Sequence, residues 1–258
     1  AAQELARDTN RTGREIAALT ELGRLLGLSH PPDYIEAFDI SNIGGSTIVG
    51  GMTVFRRGRP EKRLYKKFTI RDMAAPDDYA AMEQMLTRRL AHYKEAAENG
   101  KKDGFETLPD LWLIDGGAGQ GAAAKKAAAQ FGVEIPIFGM VKDDKHRTRG
   151  LYFRNVEIPI DRNSEGFKLI TRVQDEAHRF AIEYHRSLRS KDQVKSVLDE
   201  IPGVGPARRK ALMKSFPSIY EIRDATAEQI AMQADLPMSV AEEIYEFFHN
   251  HQEEDCRE

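Results

Sequence analysis

The run Leu111-Trp112-Leu113-Ile114-Asp115-Gly116-Gly117 decides the fold. Four large apolar residues end in a carboxylate, and glycines follow at once. A strand apolar at every position is buried on both faces, as in a parallel or mixed sheet. A carboxylate at its end costs several kcal/mol to bury unless something pairs with it. A divalent cation is one such partner, because hard cations take carboxylate oxygens. A capping aspartate at a strand-to-helix turn is the alternative.

Upstream of this run the pattern predicts a helix over 3–26, ended by His30-Pro31-Pro32, because the residue before proline avoids the helical region. Strands follow at 34–40, 47–55 and 63–70, with a turn-rich break at Ser41-Asn42-Ile43-Gly44-Gly45 and a turn at Arg57-Gly58-Arg59-Pro60. Asp77-Asp78 opens a helix to about Glu98, since short acidic residues satisfy free amides at helix starts. Downstream come a helix over 120–131, a strand over 135–141, a small β element over 151–160 and a helix over 166–188. That last helix carries an apolar stripe of Leu169, Ile170, Val173, Ala177, Phe180, Ala181 and Tyr184. An antiparallel meander followed by βα alternation implies a mixed five-stranded sheet with flanking helices, an α/β fold. Composition changes near 190–196, where a small all-α domain begins. The reading is therefore 1–192 (with 1–30 as a helical lead-in), 193–250, and a polar tail over 251–258.

At 258 residues and 41% hydrophobic content the chain can bury one large core or two unequal ones. No apolar run approaches the ~18 residues of a membrane span, and no secretory signal is visible. The single cysteine, Cys256, excludes an intrachain disulfide framework and a multi-Cys zinc site, and fits a cytoplasmic location. Net charge is −3, so no global basicity points to nucleic acid. The distribution does. Residues 185–214 hold eight Lys or Arg (Arg186, Arg189, Lys191, Lys195, Arg208, Arg209, Lys210, Lys214) against Asp192, Asp199 and Glu200.

Asp39 ends the first strand on the apolar face of Ile35 and Ala37. If its strand neighbours the 111–115 strand, the two carboxylates lie about 5 Å apart at the backbone. Two close negative charges repel and raise one pKa, a conflict that divalent metal resolves. Asp78 is a third candidate, which residue physics does not separate from the N-cap role or from Asp77. His178 sits at the edge of the apolar stripe, with Gln174 and His185 along one polar seam. As a functional group it would ligate metal or transfer a proton; as a structural one it is a satisfied core-edge histidine. Glu176 and Arg179 read as supporting charges, and Lys142 as a phosphate contact or a surface lysine. The glycines of Gly116-Gly117-Ala118-Gly119-Gln120-Gly121 invite a dinucleotide-binding reading. Three preceding strands and the negative Asp115 argue against it, and no Gly-x-x-x-x-Gly-Lys loop exists for a nucleotide-hydrolysing fold.

Ile201-Pro202-Gly203-Val204-Gly205-Pro206 precedes a helix over 207–216. Its glycines let backbone amides converge on one phosphate oxygen. Arg208, Arg209 and Lys210 in the helix's first turn oppose its dipole, which an anionic ligand explains. This helix-hairpin-helix pattern binds nucleic-acid backbone without reading sequence. A second unit runs from Thr226 through Leu236-Pro237-Met238-Ser239-Val240 to Phe248, and the pair predicts one four-helix unit.

These pieces together resemble the UvrC family, in its C-terminal half. The resemblance rests on Ile35-Glu36-Ala37-Phe38-Asp39-Ile40-Ser41-Asn42, Asp77-Asp78-Tyr79-Ala80-Ala81-Met82, Leu113-Ile114-Asp115-Gly116-Gly117, Asp175-Glu176-Ala177-His178-Arg179-Phe180-Ala181 and the Ile201–Pro206 hairpin. It implies an RNase H-like endonuclease domain followed by tandem helix-hairpin-helix motifs. It also implies the incision 5′ to a lesion in damaged double-stranded DNA during bacterial nucleotide excision repair, a pathway tied to the SOS response. The implied cofactor is Mg²⁺ or Mn²⁺, and the implied catalytic residues are Asp39, Asp78, Asp115 and His178. Of these, Asp39, Asp115 and His178 are the expected metal ligands. Gly203, Val204, Gly205, Arg208, Arg209 and Lys210 are the expected DNA contacts. UvrB, with UvrA upstream in the pathway, is the implied protein partner. Ala118 stands where the family commonly has Lys, and Met238 replaces the second hairpin's glycine. The family's N-terminal half, a nuclease for the 3′ incision and a UvrB-docking segment, has no counterpart in the sequence, which reads as a fragment. A non-catalytic DNA-binding or scaffold module, with the acids as caps, is the competing reading.

Overall fold

The computed structural model describes residues 2–42, 48–71, 77–116, 118–143, 147–153, 156–216 and 218–250, with side chains placed except at 2–9, 118, 189–196 and 250. Ile43-Gly44-Gly45, Gly117, the side chains of Ala118, Arg189, Lys191, Asp192 and Lys195, and the tail with Cys256 lie outside the described residues. The chain divides into two compact units, Ala1–His185 and Arg186–Glu258.

The first unit is built on one mixed sheet. Its strands are β1 (Tyr34–Ser41), β2 (Val49–Arg56), β3 (Arg59–Pro60), β4 (Lys66–Thr69), β5 (Leu111–Asp115), β6 (Ile137–Lys142), β7 (Thr148–Phe153) and β8 (Val156–Ile158). The order is β3-β2-β1-β5-β6-β7-β8, with β4 also on β2. β1, β5 and β6 are mutually parallel, and the outer pairs are antiparallel. Among the described residues the sheet thus has eight strands, where the sequence pattern predicts five and a small extra element.

One difference lies at the third predicted strand, 63–70, which is shortened to Lys66–Thr69, while Arg59 and Pro60 of the predicted turn form β3. Arg57 and Gly58 take left-handed φ values of 51° and 74° and turn the chain back. Phe55 then pairs with Pro60, but Met52 pairs with Lys66, so the returning chain holds three surplus residues. They are taken up as a 3₁₀ turn, Lys62–Leu64. The other difference is at the far edge, where β7 and β8 extend the sheet by pairing onto β6.

Helices α1 (Ala2–Leu25) and α4 (Glu165–Asp199) share one core with Ile35, Ala37, Leu111 and Leu113. Helices α2 (Asp78–Asn99) and α3 (Ala118–Phe131) share the other with Phe38, Trp112 and Ile114. The period-2 alternation of β1 sorts its residues between the two faces. α1 stops earlier than the prolines require. Gly27 adopts φ 64°, and the Leu28 amide closes back on the Gly23 carbonyl at 2.9 Å, a left-handed glycine cap. α2 begins on Asp77, whose carboxylate accepts from the Tyr79 and Ala80 amides, and ends at Gly100 with φ 64°.

A buried ion pair ties α2 to the sheet. Arg89 and Glu36 are both fully buried. Arg89 Nη2 donates to Glu36 Oε1 at 2.7 Å and to the Thr107 carbonyl at 2.6 Å, and Nη1 donates to the Phe105 carbonyl at 3.1 Å. Trp112 Nε1 and the Tyr34 hydroxyl donate to the same carboxylate, at 2.8 and 3.0 Å. Such a pair is tolerated because its donors and acceptors are met inside the protein.

In the second unit the end of α4 and α5 (Pro206–Ser215) form the first hairpin, and α7 (Ala227–Ala234) and α8 (Met238–Asn250) the second. A short α6 (Ile219–Asp224), absent from the sequence reading, joins them. Leu198, Ile201, Val204, Leu212, Ile222, Ile230, Ala241 and Ile244 belong to one shared core. α4 is continuous to Asp199, across the predicted boundary at 190–196.

Replacing Arg89 by Met strands the Glu36 carboxylate in the core. Chemical denaturation is expected to show a loss of about 3–5 kcal/mol, the usual cost of an uncompensated buried charge. A loss below 1 kcal/mol would contradict this account of the network.

Candidate active site

The parallel register of β1 and β5 brings the first two acids together. Phe38 pairs with Ile114, so the next residues, Asp39 and Asp115, stand side by side at the strand ends. Both lie on the face covered by α4, and both are buried, at 5% and 7% exposure. α4 supplies the remaining polar groups from one face, four residues apart. His178 Nδ1 lies 3.0 Å from Asp39 Oδ2. Gln174 Nε2 donates to Asp115 Oδ1 at 2.8 Å. Lys142, at the end of β6 beyond a bulge, donates through Nζ to Asp115 Oδ2 at 2.7 Å.

α4 comes this close because β2 carries glycine where the helix crosses. Gly51 is the register partner of Asp39. A Cβ there would stand 3.0 Å from the Phe180 ring and 3.3 Å from the Ala181 backbone. On the other face Gly50 does the same for α2, where a Cβ would meet Met85 Sδ at 2.3 Å.

The electrostatics follow from burial. Desolvation pushes the Asp39 carboxyl above its ordinary range; the His178 hydrogen bond opposes this and the Asp115 charge adds to it. The hydrogen bond to Asp39 raises the His178 imidazole in turn, against partial desolvation. One ligand atom from each of Asp39, Asp115 and His178 falls within 4.8 Å of the others. Gln174 Oε1 is buried there without a partner among the described residues. Two crowded carboxylates, an imidazole nitrogen and a spare carboxamide oxygen form a donor set that fits a hard divalent cation.

Asp78 is not in this group. It is exposed on the first turn of α2, and Asp77 holds the N-cap role that the sequence left open between them. The start of α2 is nonetheless located at this edge, because the Tyr79 ring rests on Gly119, four residues past Asp115. Gly119 and Gly121 are helical within α3, so the glycine run is not a phosphate loop. Glu176 accepts from the Tyr65 hydroxyl at 3.0 Å and pairs with Arg179, in supporting roles.

In the hairpin, Gly203 has φ 79° and Gly205 is the residue before α5, with Pro206 as its first residue. Val204 is buried, and its amide donates to the Ile201 carbonyl at 3.1 Å. Arg208 Nη1 bonds the Gly203 carbonyl at 2.6 Å, and Arg209 pairs with Asp199. Lys210 is exposed. In the second hairpin Asp235, with φ 52°, supplies the left-handed residue, and Met238 begins α8.

Residues 23–182 match the family model described as the UvrC RNAse H endonuclease domain. The chain belongs to this family. Residues 198–256 match the helix-hairpin-helix motif. Relatives include UvrABC system protein C of Lachnospira eligens, 52% identical over 96% of this chain and 40% of that protein. The same-named protein of Alkaliphilus oremlandii is 45% identical over 89% of this chain and 38% of its own length. The chain thus spans about two-fifths of these relatives. Among solved structures it is similar to human ENDOV, with 10% identity and a TM-score of 0.37 over 72% of this chain and 99% of that one. The mixed sheet with its flanking helices is the RNase H-like fold of the family, followed by its helix-hairpin-helix unit. None of the described helices is long and apolar enough to cross a membrane.

Sequence reasoning did not single out Gly51, and it noted Gln174 without its partner. Lys142, by sequence a phosphate contact or a surface lysine, bonds Asp115 in the structure. The signal for Gly51 was the Gly50-Gly51 pair inside a strand, which marks close backbone approach. Gly51→Val should lift α4 and separate His178 from Asp39. Titration of the His178 ring by NMR should then read a lower pKa than in the native chain, since the hydrogen bond that raises it is gone. An unchanged value would show that the contact does not depend on the glycine.

Proposed function

We propose that this chain is a divalent-metal-dependent DNA endonuclease that makes the incision 5′ to damage in nucleotide excision repair. The observation that carries the reading is the convergence of Asp39, Asp115 and His178 at the ends of two adjacent parallel strands. Membership of a family described as an endonuclease domain, and relatives named for the UvrABC system, agree with it. Bound Mg²⁺ or Mn²⁺ would supply the charge that activates water and neutralises the phosphate.

In this reading Asp39 and Asp115 hold the cation, and His178 either completes the ligand set or moves a proton at its exposed side. Gln174 and Lys142 fix the rotamer of Asp115, one on each oxygen. Lys142 also sets a positive charge next to the carboxylates. Asp78, exposed at the head of α2, completes or tunes the site in this reading. The hairpin grips DNA backbone through Gly203, Gly205, the first amides of α5 and the cations Arg208, Arg209 and Lys210, while Val204 anchors the turn in the core. Damaged duplex DNA is the substrate, UvrB the protein partner, with UvrA acting earlier, and the cytoplasm the location. The organisation into a nuclease domain over 1–192 and a DNA-binding domain over 193–250 serves this division of labour.

Asp39→Asn and Asp115→Asn should each lower metal-dependent nicking of a pre-incised lesion duplex by about a thousandfold or more, the scale of several kcal/mol of lost charge stabilisation. DNA affinity in a gel-shift assay should stay close to native. Full nicking by either variant would sink the assignment, and no nicking by the native chain with Mn²⁺ would favour a scaffold role. Lys210→Ala should weaken binding to all sequences alike and reduce the slope of log K against log salt by about one. An unaltered slope would remove Lys210 from the interface.

A further inference from the structure

Three large apolar side chains of the first unit are exposed among the described residues: Ile16, Tyr79 and Val156. Ile16 lies on α1 and Val156 on the edge strand β8. Tyr79 alone is aromatic, and it alone stands by the acids. It is 57% exposed, one residue after Asp78, on an α2 start held rigid by the Asp77 cap at 2.9 and 3.1 Å.

Its ring is seated rather than free. A Cβ at Gly119 would fall 1.9 Å from Tyr79 Cε1 and 2.6 Å from both Cδ1 and Cζ. The ring therefore lies directly on the α3 backbone, and its other side faces solvent. A helical glycine is normally less stable than alanine, so a glycine inside α3 has a packing reason, and this ring is the reason. Asp115 and Gly119 are four residues apart, which limits their separation to about 14 Å, and the turn at Gly116 shortens that. A flat, preoriented aromatic surface within a nucleotide or two of an acid cluster suits one ligand chemistry. Bases stack on such rings whatever their sequence, and most readily where the duplex is opened.

We propose that Tyr79 is a stacking platform for a base of the DNA strand that enters the acid site, with Gly119 as the seat that holds its ring. This rests on the nuclease reading above. Tyr79 touches the substrate in this account and fixes where along the strand the phosphate meets Asp39 and Asp115.

The test uses the whole chain carrying Asp39→Asn, expected to bind without cutting, and a bubble duplex in which 2-aminopurine is moved base by base. Binding should quench fluorescence at one position, because a stacked 2-aminopurine emits weakly. Adding Tyr79→Leu should remove that quenching and weaken binding by about fivefold or more, the lower range for one base–aromatic stack. Tyr79→Phe should keep both. Gly119→Ala should mimic Tyr79→Leu although it melts no lower than the parent, since alanine favours the helix. Binding with no position whose quenching depends on Tyr79 would overturn this inference and leave the nuclease reading standing. Absence of DNA binding by the Asp39→Asn chain would overturn both.

Discussion

The parallel pairing of β1 with β5, in the register that sets Phe38 against Ile114, is the constraint on which the site depends. It alone puts two carboxylates at one level on one face. A slip of one residue would turn Asp39 to the α2 side, toward the apolar core that holds Met82 and Met85 and away from His178. The register is secured three residues earlier. Glu36 faces the opposite side and is locked by Trp112 from β5 and Arg89 from α2. A fully bonded buried carboxylate tolerates no such slip, because every partner would be lost together. The ion pair on the α2 face thus fixes the geometry of the acids on the α4 face.

The cost of this arrangement is concentrated at Asp39. Burial and the neighbouring Asp115 charge both oppose its ionisation, and His178 relieves only part of that. Three groups with positive or potential positive charge or amide character crowd the two carboxylates: His178, Lys142 and Gln174. A site that gathers compensating groups so tightly is preorganised for charge, near the ends of two central strands. The helices come near enough to serve it because Gly50 and Gly51 strip β2 of side chains on both faces.

Much of this was legible in the residues. The apolar run before Asp115 announced a central strand, and alternation in β1 put Asp39 on the correct face. Ile201–Pro206 announced the hairpin through its glycines and following cations. What stayed hidden depended on long-range contacts. The shortening of the third strand came from a mismatch in register between β2 and its partner, which no local pattern records. Asp77 and Asp78 are chemically identical in sequence, and only the cap geometry separates them. The cations at the head of α5 had partly internal partners, Gly203 and Asp199, that periodicity could not reveal. The buried Glu36 was visible as a carboxylate inside an apolar strand, but its partner Arg89 lies 53 positions away.

The central claim is that Asp39, Asp115 and His178 act as one cation site. Mn²⁺ binding followed by electron paramagnetic resonance tests it most directly, with the native chain, Asp39→Asn and Asp115→Asn titrated side by side. Saturable Mn²⁺ binding by the native chain that is lost or greatly weakened in both variants is the predicted result. Equal Mn²⁺ binding by all three chains would contradict it.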